Sequence, residues 1–413
     1  MQEILDRCAG LDIHKNTIVC CIMIGAGSSM YKEIRTFGTM TDDIRELGKW
    51  LEHHGIKDVA MESTGVYWKP IFNVLDGDFN LTLANARNIK NVPGRKTDVK
   101  DSEWICKLFK NGLIEKSFIP PESIRFLRDL TRYRRSLLNQ LTSAKNRLIK
   151  TLESANIKLS SVFSNVRGKT AWNIIKMMAA GQDCVDILSA NIPKNVKATR
   201  KDIRKALTGT LQQHHLNLLN LMIREIENLE ALILDVENEI TTHLNQYERE
   251  VNLLKTIPGI GDASVATIIA EIGINMNQFP TAKHLTSWAG VAPGNNESAG
   301  KQKSTRINPG NKHLKIILIQ VALAAIKDKD SYYHASYKRL ALRIGHKKAL
   351  VAIARKILVA AYFVIDQTQP YKELGANFLD DKTRDRKVNY YKKQLEILGQ
   401  NVVLVNSENT ISA

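Results

Sequence analysis

Two apolar runs near the start of the chain each close on a carboxylate, and a further pair of carboxylates follows at helical spacing. Cys8-Ala9-Gly10-Leu11 runs into Asp12, and Val59-Ala60-Met61 runs into Glu62. Asp98 and Asp101 then stand three apart in Lys96-Thr97-Asp98-Val99-Lys100-Asp101, where a helix is expected to begin. Carboxylates at neighbouring strand ends and an i, i+3 pair on one helical face can meet at one point. Four such groups repel one another unless a cation sits among them. Oxygen-only ligation suits a hard ion, Mg2+ or Mn2+. Two such ions about 4 Å apart are a common device of phosphodiester chemistry. The competing reading is four ordinary surface acids. An acid closing a hydrophobic strand is uncommon, and the pair at Asp98 and Asp101 makes coincidence harder to sustain.

The pattern around these acids predicts alternating strands and helices over 1–115. Cys8–Asp12 and Thr17–Ile24 read as strands around a polar turn, and Tyr31–Phe37 reads as a third. Thr41 is placed to cap a helix reaching about residue 54, with Asp42 and Asp43 where the helix dipole favours them. Asp58–Glu62 is a fourth strand, Tyr67–Leu75 a helix and Asn80–Ala84 a fifth strand. Three strands, helix, strand, helix, strand, helix is the element order of a ribonuclease-H-like α/β fold, although many α/β domains begin similarly.

Charge points to a partner. With 59 Lys and Arg against 42 Asp and Glu, the 413 residues carry a formal net charge of +17, which suggests a polyanion, most often nucleic acid. An anionic membrane surface competes, but no lipidation motif is visible. The longest apolar stretches, Thr17 to Ala26 and Ile357 to Ile365, are too short to span a bilayer. Glu3 and Asp6 ahead of the first apolar run argue against a secretory leader. Cys8, Cys20, Cys21, Cys106 and Cys184 form no CxxC pair. A disulfide framework or zinc site is therefore not expected, and a reducing cytosol fits. Cys20 and Cys21 are expected on opposite faces of a strand.

Beyond residue 118 the pattern is helical. Residues 121–150 read as one long helix with eight basic residues against Glu122 and Asp129: Arg125, Arg128, Arg132, Arg134, Arg135, Lys145, Arg147 and Lys150. It is either a solvated face or a helix lying along phosphates, and the scarcity of balancing acids favours the second. Residues 219–240 carry a heptad seam of Leu219, Met222, Ile226, Leu229, Ile233, Val236 and Ile240. A coiled coil between chains is favoured, and one helix of an intramolecular bundle is the other reading. Residues 165–208 say least.

Two motifs follow. Pro258-Gly259-Ile260-Gly261 between helical patterns resembles a helix-hairpin-helix, whose backbone N–H groups at Gly259 and Gly261 would hold a phosphate, or it is a plain tight turn. Residues 295–315 read as a polar loop, with Ser298 between small residues and followed by Lys301, Lys303, Arg306, Lys312 and Lys315. A serine nucleophile needs exposure and nearby cations, but serines in Gly-rich loops usually form turns. Leu314–Ile326 and Lys347–Ile365 are expected helices. The tail from Gln367 is expected to be polar with a short amphipathic segment at Val388–Leu398, and its last ten residues to be disordered.

Taken in order, Leu11-Asp12, Met61-Glu62-Ser63-Thr64-Gly65, Lys96 to Asp101, Pro258 to Gly261 and Pro293-Gly294-Asn295-Asn296-Glu297-Ser298-Ala299-Gly300-Lys301 resemble the DEDD transposases of bacterial insertion sequences, the bridge-RNA-guided recombinases. The likeness runs from about residue 8 to 400. It implies a RuvC-like α/β domain over 1–118, a basic helix and coiled-coil region over 119–250, a mostly α-helical transposase domain over 251–366, and a polar tail over 367–413. Asp12, Glu62, Asp98 and Asp101 match the family's metal-binding tetrad and Ser298 its nucleophile. Ser102 stands where members often have Ala, and a single serine precedes Ala299 where some have two.

The resemblance further implies attack by Ser298 on a DNA phosphodiester, a 5′-phosphoserine link and a freed 3′-hydroxyl, with Mg2+ or Mn2+ on the tetrad. It implies donor and target DNA and a structured non-coding guide RNA as partners, in the cytoplasm and nucleoid of a bacterium or archaeon. It implies a dimer or tetramer in which one protomer's acids serve another's serine. Two alternatives stand: a RuvC-like endonuclease cutting branched DNA with metal-activated water, and a non-enzymatic nucleic-acid-binding protein with a decayed site.

Overall fold

The computed structural model describes residues 4–63, 65–84, 89, 101–114, 116–182, 198–294, 296–298, 301–304 and 306–400. Asp98, Cys184 and the last ten residues lie outside the described residues. The chain divides into two compact units, Met1–Ile119 and Pro120–Ala413.

The first unit is a five-stranded sheet with helices on both faces. In chain order it runs β1 Arg7–Ile13, β2 Ile18–Ile24, β3 Tyr31–Phe37, α1 Thr41–His53, β4 Asp58–Glu62, α2 Trp68–Leu75, β5 Asn80–Ala84 and α3 Asp101–Lys110. The strand order is β3-β2-β1-β4-β5. β1, β2 and β3 pair antiparallel, and β4 and β5 continue the sheet in parallel to β1. Strand parity sorts the side chains. Ala9, Leu11, Cys20, Ile22, Val59 and Met61 pack with Leu47 and Leu51 of α1 and Ile71 and Leu75 of α2. On the other face Cys8, Cys21 and Met23 meet Cys106 of α3, and Ala60 meets Ile105 and Leu108. Cys20 and Cys21 thus point to opposite faces, and Cys8, Cys20, Cys21 and Cys106 are all buried. Thr41 is not the cap of α1: that position is Met40, whose N–H donates to Asp43 Oδ2 at 3.1 Å.

The second unit opens with two long helices, α4 Glu122–Ser154 and, after α5 Leu159–Val162, α6 Lys169–Ala179 and α7 Arg200–Leu207, α8 Gln213–Leu244. α4 and α8 lie antiparallel: Ser123 Oγ is 2.8 Å from Tyr247 OH at one end, and Thr151 Oγ1 is 3.6 Å from Met222 Sδ toward the other. Leu219, Ile226, Leu229, Ile233, Val236 and Ile240 of the heptad seam are buried, as are Leu127, Leu137, Leu141, Leu148 and Leu152 of α4. The seam is therefore covered within the chain, where a coiled coil between chains was the favoured expectation. Each fully buried Leu or Ile contributes about 1.5–3 kcal/mol. Part of the weakly patterned 165–208 segment packs here as well. Arg167 stacks 3.9 Å over Trp172 and pairs with Glu230 of α8.

Shorter elements complete the unit: α9 Glu248–Lys255, α10 Asp262–Ile272, α11 Ala282–Trp288, β6 Asn296–Ser298, β7 Lys301–Ser304, α12 Lys312–Ala325, α13 Tyr332–Ile344, α14 His346–Asp366 and α15 Phe378–Ile397. The apolar helix α14 is the packing centre, with Ile353, Ile357, Leu358 and Ala361 fully buried. The segment expected as a polar loop holds a two-stranded hairpin, in which Ser298 pairs with Lys301. Its strands are too short and too polar to show the alternation that marks a strand in sequence. α15 is nearly twice as long as the expected amphipathic segment and has no buried residue. Among the described residues, no helix is long and apolar enough to cross a membrane.

Candidate active site

Register sets the first part of the site. β1 and β4 are parallel with Leu11 beside Met61, so Asp12 and Glu62 follow at adjacent positions on neighbouring strands. Asp12 shares parity with Cys8 and Gly10, and Glu62 with Ala60. Both carboxylates therefore leave the sheet on the face covered by α3. Asp101 is the first residue of α3. The charges of Asp101 and Glu62 both act on Asp12.

Gly10 makes this approach possible. A Cβ at Gly10 would lie 2.4 Å from Cys106 N and 2.5 Å from Ser102 O. The missing side chain lets the backbone of α3 rest on β1, two residues from Asp12. Gly10 went unnoticed in the sequence because it sits inside an apolar run, although a glycine within a strand is a recognised sign of close backbone contact.

Asp12 is one-fifth exposed, and its Oδ2 is 3.2 Å from Nε2 of the exposed His14. Its carboxyl is held above the ordinary range: burial is the largest cause, His14 opposes, and the charges of Asp101 and Glu62 add to the rise. A cation among the three would relieve that strain. The donor set, all carboxylate, fits a hard divalent ion. No three metal-binding side chains among the described residues stand in ready ligand geometry, and the fourth predicted member, Asp98, lies outside them. Ser102 of α3 is fully buried, and its Oγ finds no hydrogen-bond partner among the described residues.

In the second unit the balancing acids that the 121–150 sequence lacks come from other helices. Arg132 Nε and Nη2 each donate at 2.8 Å to the carboxylate of Glu271 in α10. Arg128 donates to the Ala270 and Glu271 carbonyls at 2.9 and 2.8 Å. Arg134 pairs with Glu237, Arg147 with Glu225, and Lys145 with Glu230 at 3.7 Å. Arg125 donates to the Pro120 carbonyl at 3.3 Å. Arg128 and Arg132 thus bind α4 to its neighbours, which local sequence could not show. Arg135 lines a groove of about 310 Å³ with Arg132, Arg134, His313 and Gln320.

Gly259 and Gly261 differ in what they do. Gly259 has φ +87°, and a Cβ there would lie 2.5 Å from Val321 O of α12; its glycine is needed for packing. Gly261 caps α10 in open space, and its N–H donates to Ser264 Oγ at 2.8 Å. The backbone of Ser298 and Lys301 forms the end of the hairpin, with Lys303 in β7. Arg306 and Lys312 are exposed beside it.

The first unit thus carries Asp12, Glu62 and Asp101 around one end of its sheet, and the second, mostly helical unit carries the β6–β7 hairpin with Ser298. Comparison with known proteins gives the family. A DEDD-type IS110 transposase model matches residues 9–157, and a second model, described as the transposase IS116/IS110/IS902 family, matches 251–338. Together they take in more than half of the chain, which belongs to the IS110-type transposase family. Among curated proteins, the chain is 33% identical over 130 residues to a pilin gene-inverting protein of Moraxella bovis, covering 30% of this chain and 40% of that one. It is 35% identical over 124 residues to the Moraxella lacunata counterpart, covering 29% and 38%. An uncharacterized 43.6 kDa protein of insertion element IS110 in Streptomyces coelicolor is 33% identical over 107 residues, covering 25% and 26%. The matched stretches span two fifths or less of these relatives.

Proposed function

We propose that this chain is the transposase or recombinase of an insertion sequence, cutting and exchanging DNA strands through Ser298 with help from the carboxylates of Asp12, Glu62, Asp98 and Asp101. The observation that carries the reading is the placement of Asp12 and Glu62 at one register of parallel strands, facing the start of α3 at Asp101. A divalent cation held there, Mg2+ or Mn2+, would supply positive charge to a reacting phosphate. The chain's own part is to hold the DNA and present the nucleophile. The Ser298 hydroxyl attacks phosphorus and gives up its proton. The P–O3′ bond breaks, and the 3′-oxygen leaves as a hydroxyl while the 5′-phosphate stays on Ser298.

The +17 charge supports a nucleic-acid partner. Arg135, Arg306 and Lys312, with Lys301 and Lys303 on the hairpin, are the proposed phosphate contacts. Arg134, Lys145 and Arg147 could join them only by exchanging their glutamate partners. Guidance by a structured RNA, a RuvC-like first domain and assembly as a dimer or tetramer rest on the resemblance.

The test is magnesium-dependent cleavage of element-end DNA, supplied with the element's RNA, by wild type, Asp12→Asn and Ser298→Ala. Both variants are expected to lose cleavage while retaining DNA binding. A second reading, a RuvC-like nuclease cutting branched DNA with water, is favoured by one fact: Asp12, Glu62 and Asp101 all lie in the compact unit that does not contain Ser298. Full cleavage by Ser298→Ala alongside loss in Asp12→Asn would establish it.

A further inference from the structure

Glu271 of α10 is fully buried and has three side-chain partners among the described residues of the second unit. Two are charged: Arg132 grips both carboxylate oxygens, and Arg128 Nε lies 3.4 Å from Oε2. The third is neutral. Asn311 Nδ2 donates to Glu271 Oε2 at 2.6 Å. At its other end Asn311 caps α12, its Oδ1 accepting from the His313 and Leu314 N–H groups at 3.0 Å each.

Asn311 also stands where the hairpin segment begins and ends. Its N–H donates to the Trp288 carbonyl at the end of α11, at 3.4 Å. Just beyond, the segment is pinched shut twice. A Cβ at Gly310 would lie 2.4 Å from Gly290 N, and one at Gly294 would lie 2.2 Å from Arg306 O. Beyond the second pinch lies the β6–β7 ribbon carrying Ser298. The ribbon's base is thus tied through a single amide to a carboxylate already fixed by two arginines of α4. Two arginines suffice to balance the charge of Glu271, so charge pairing alone does not account for the Asn311 contact.

We infer that Glu271 is a positioning residue: through Asn311 it fixes the base of the hairpin, and with it Ser298, relative to the arginine-bearing face of α4. This rests on the proposed role of Ser298 as nucleophile.

The test exchanges the two partners. Asn311→Asp keeps an oxygen to cap α12 but sets a carboxylate against Glu271. The double variant Asn311→Asp/Glu271→Gln puts the amide and the carboxylate on opposite sides, restoring one hydrogen bond and the original net charge. Asn311→Ser keeps a cap, carries no charge and is too short to reach Glu271, which guards against a single variant that fails to fold. Two readouts are taken on the full chain: amide hydrogen exchange across 290–311, and the rate of Ser298-dependent adduct formation on element-end DNA.

Exchange is expected to quicken about tenfold in both single variants and to recover to within about threefold in the double variant. Adduct formation should fall and recover in the same order, with DNA affinity unchanged. Unaltered exchange in the single variants, or no recovery in a folded double variant, overturns the inference. So does loosened exchange with an unchanged adduct rate. If wild type forms no adduct, the nucleophile reading fails, and exchange alone decides whether Glu271 holds the hairpin.

Discussion

Gly10 of β1 lies against the backbone of Cys106 in α3, so closely that a Cβ would fall 2.4 Å from the Cys106 nitrogen. That contact sets the distance between the strand carrying Asp12 and the helix that begins at Asp101. Neither side can yield easily, since the atoms met are backbone. Gly10→Ala is expected to destabilise the first unit by about 1–3 kcal/mol and to weaken divalent-ion binding by moving α3 outward. Denaturant unfolding and metal titration of the same variant check both parts.

Ser102 sits one residue beyond Asp101, with a buried hydroxyl that finds no partner among the described residues. Removing such a group relieves a desolvation cost and leaves no carboxylate disturbed. Ser102→Ala should be neutral or more stable by about 1 kcal/mol, with activity retained. A shift in the denaturation midpoint toward lower stability would show that the hydroxyl is satisfied.

Asp12 is held above the ordinary carboxylate range by burial, against the pull of His14, with Asp101 and Glu62 adding to the rise. A cation that binds the folded site and not the unfolded chain stabilises by mass action, about 2.7 kcal/mol at a hundredfold excess over Kd. Mg2+ or Mn2+ should therefore raise the Tm of wild type and leave that of Asp12→Asn nearly unchanged. Calorimetry with and without chelator measures the difference.

Glu271 behaves oppositely. Burial alone would raise its carboxyl, but the hydrogen bonds from Arg132, the charge of Arg128 and the Asn311 contact win, and it lies below the ordinary value of 4.5. Burial lowers Arg128 to about 10 against the pull of Glu271, so both remain charged at neutral pH. A carboxylate depressed in the folded state stabilises fully above its unfolded pKa, and that contribution is lost as pH falls through the folded value. Stability of the second unit should fall below about pH 4.5 in wild type, and Glu271→Gln should flatten that slope. Glu271→Ala, which leaves two arginines facing an empty site, should cost about 3–5 kcal/mol at pH 7. Urea titrations at a series of pH values check both.

Much of the first unit was legible because β1, β2 and β4 are buried on both faces and the turns between strands are polar. Cys8 to Asp12 and Val59 to Glu62 carry both the strand signal and the acid that ends it. The α4–α8 pair was legible as two long helices but not as partners, since a heptad seam looks the same whether its cover is another chain or another helix. The arginines of α4 were read as unbalanced because Glu225, Glu237 and Glu271 lie about 80 to 140 positions away in sequence. Ser298 is singled out in the sequence by its motif alone. Asn311 and Glu271, which tie down its hairpin, carry no local signal, because a buried carboxylate within the apolar Val265-Ala266-Thr267-Ile268-Ile269-Ala270 run is recognisable only once its partners are placed.

The central claim is that Ser298 becomes covalently joined to DNA. Wild type and Ser298→Ala are incubated with the element's RNA, Mg2+ and a nicked DNA substrate, denatured and digested, and the peptide spanning 290–311 is examined by mass spectrometry. The account predicts a 5′-phosphate-linked nucleotide on Ser298 in wild type and none in the variant. Strand cleavage with no nucleotide on that peptide, equal in the two proteins, would contradict it.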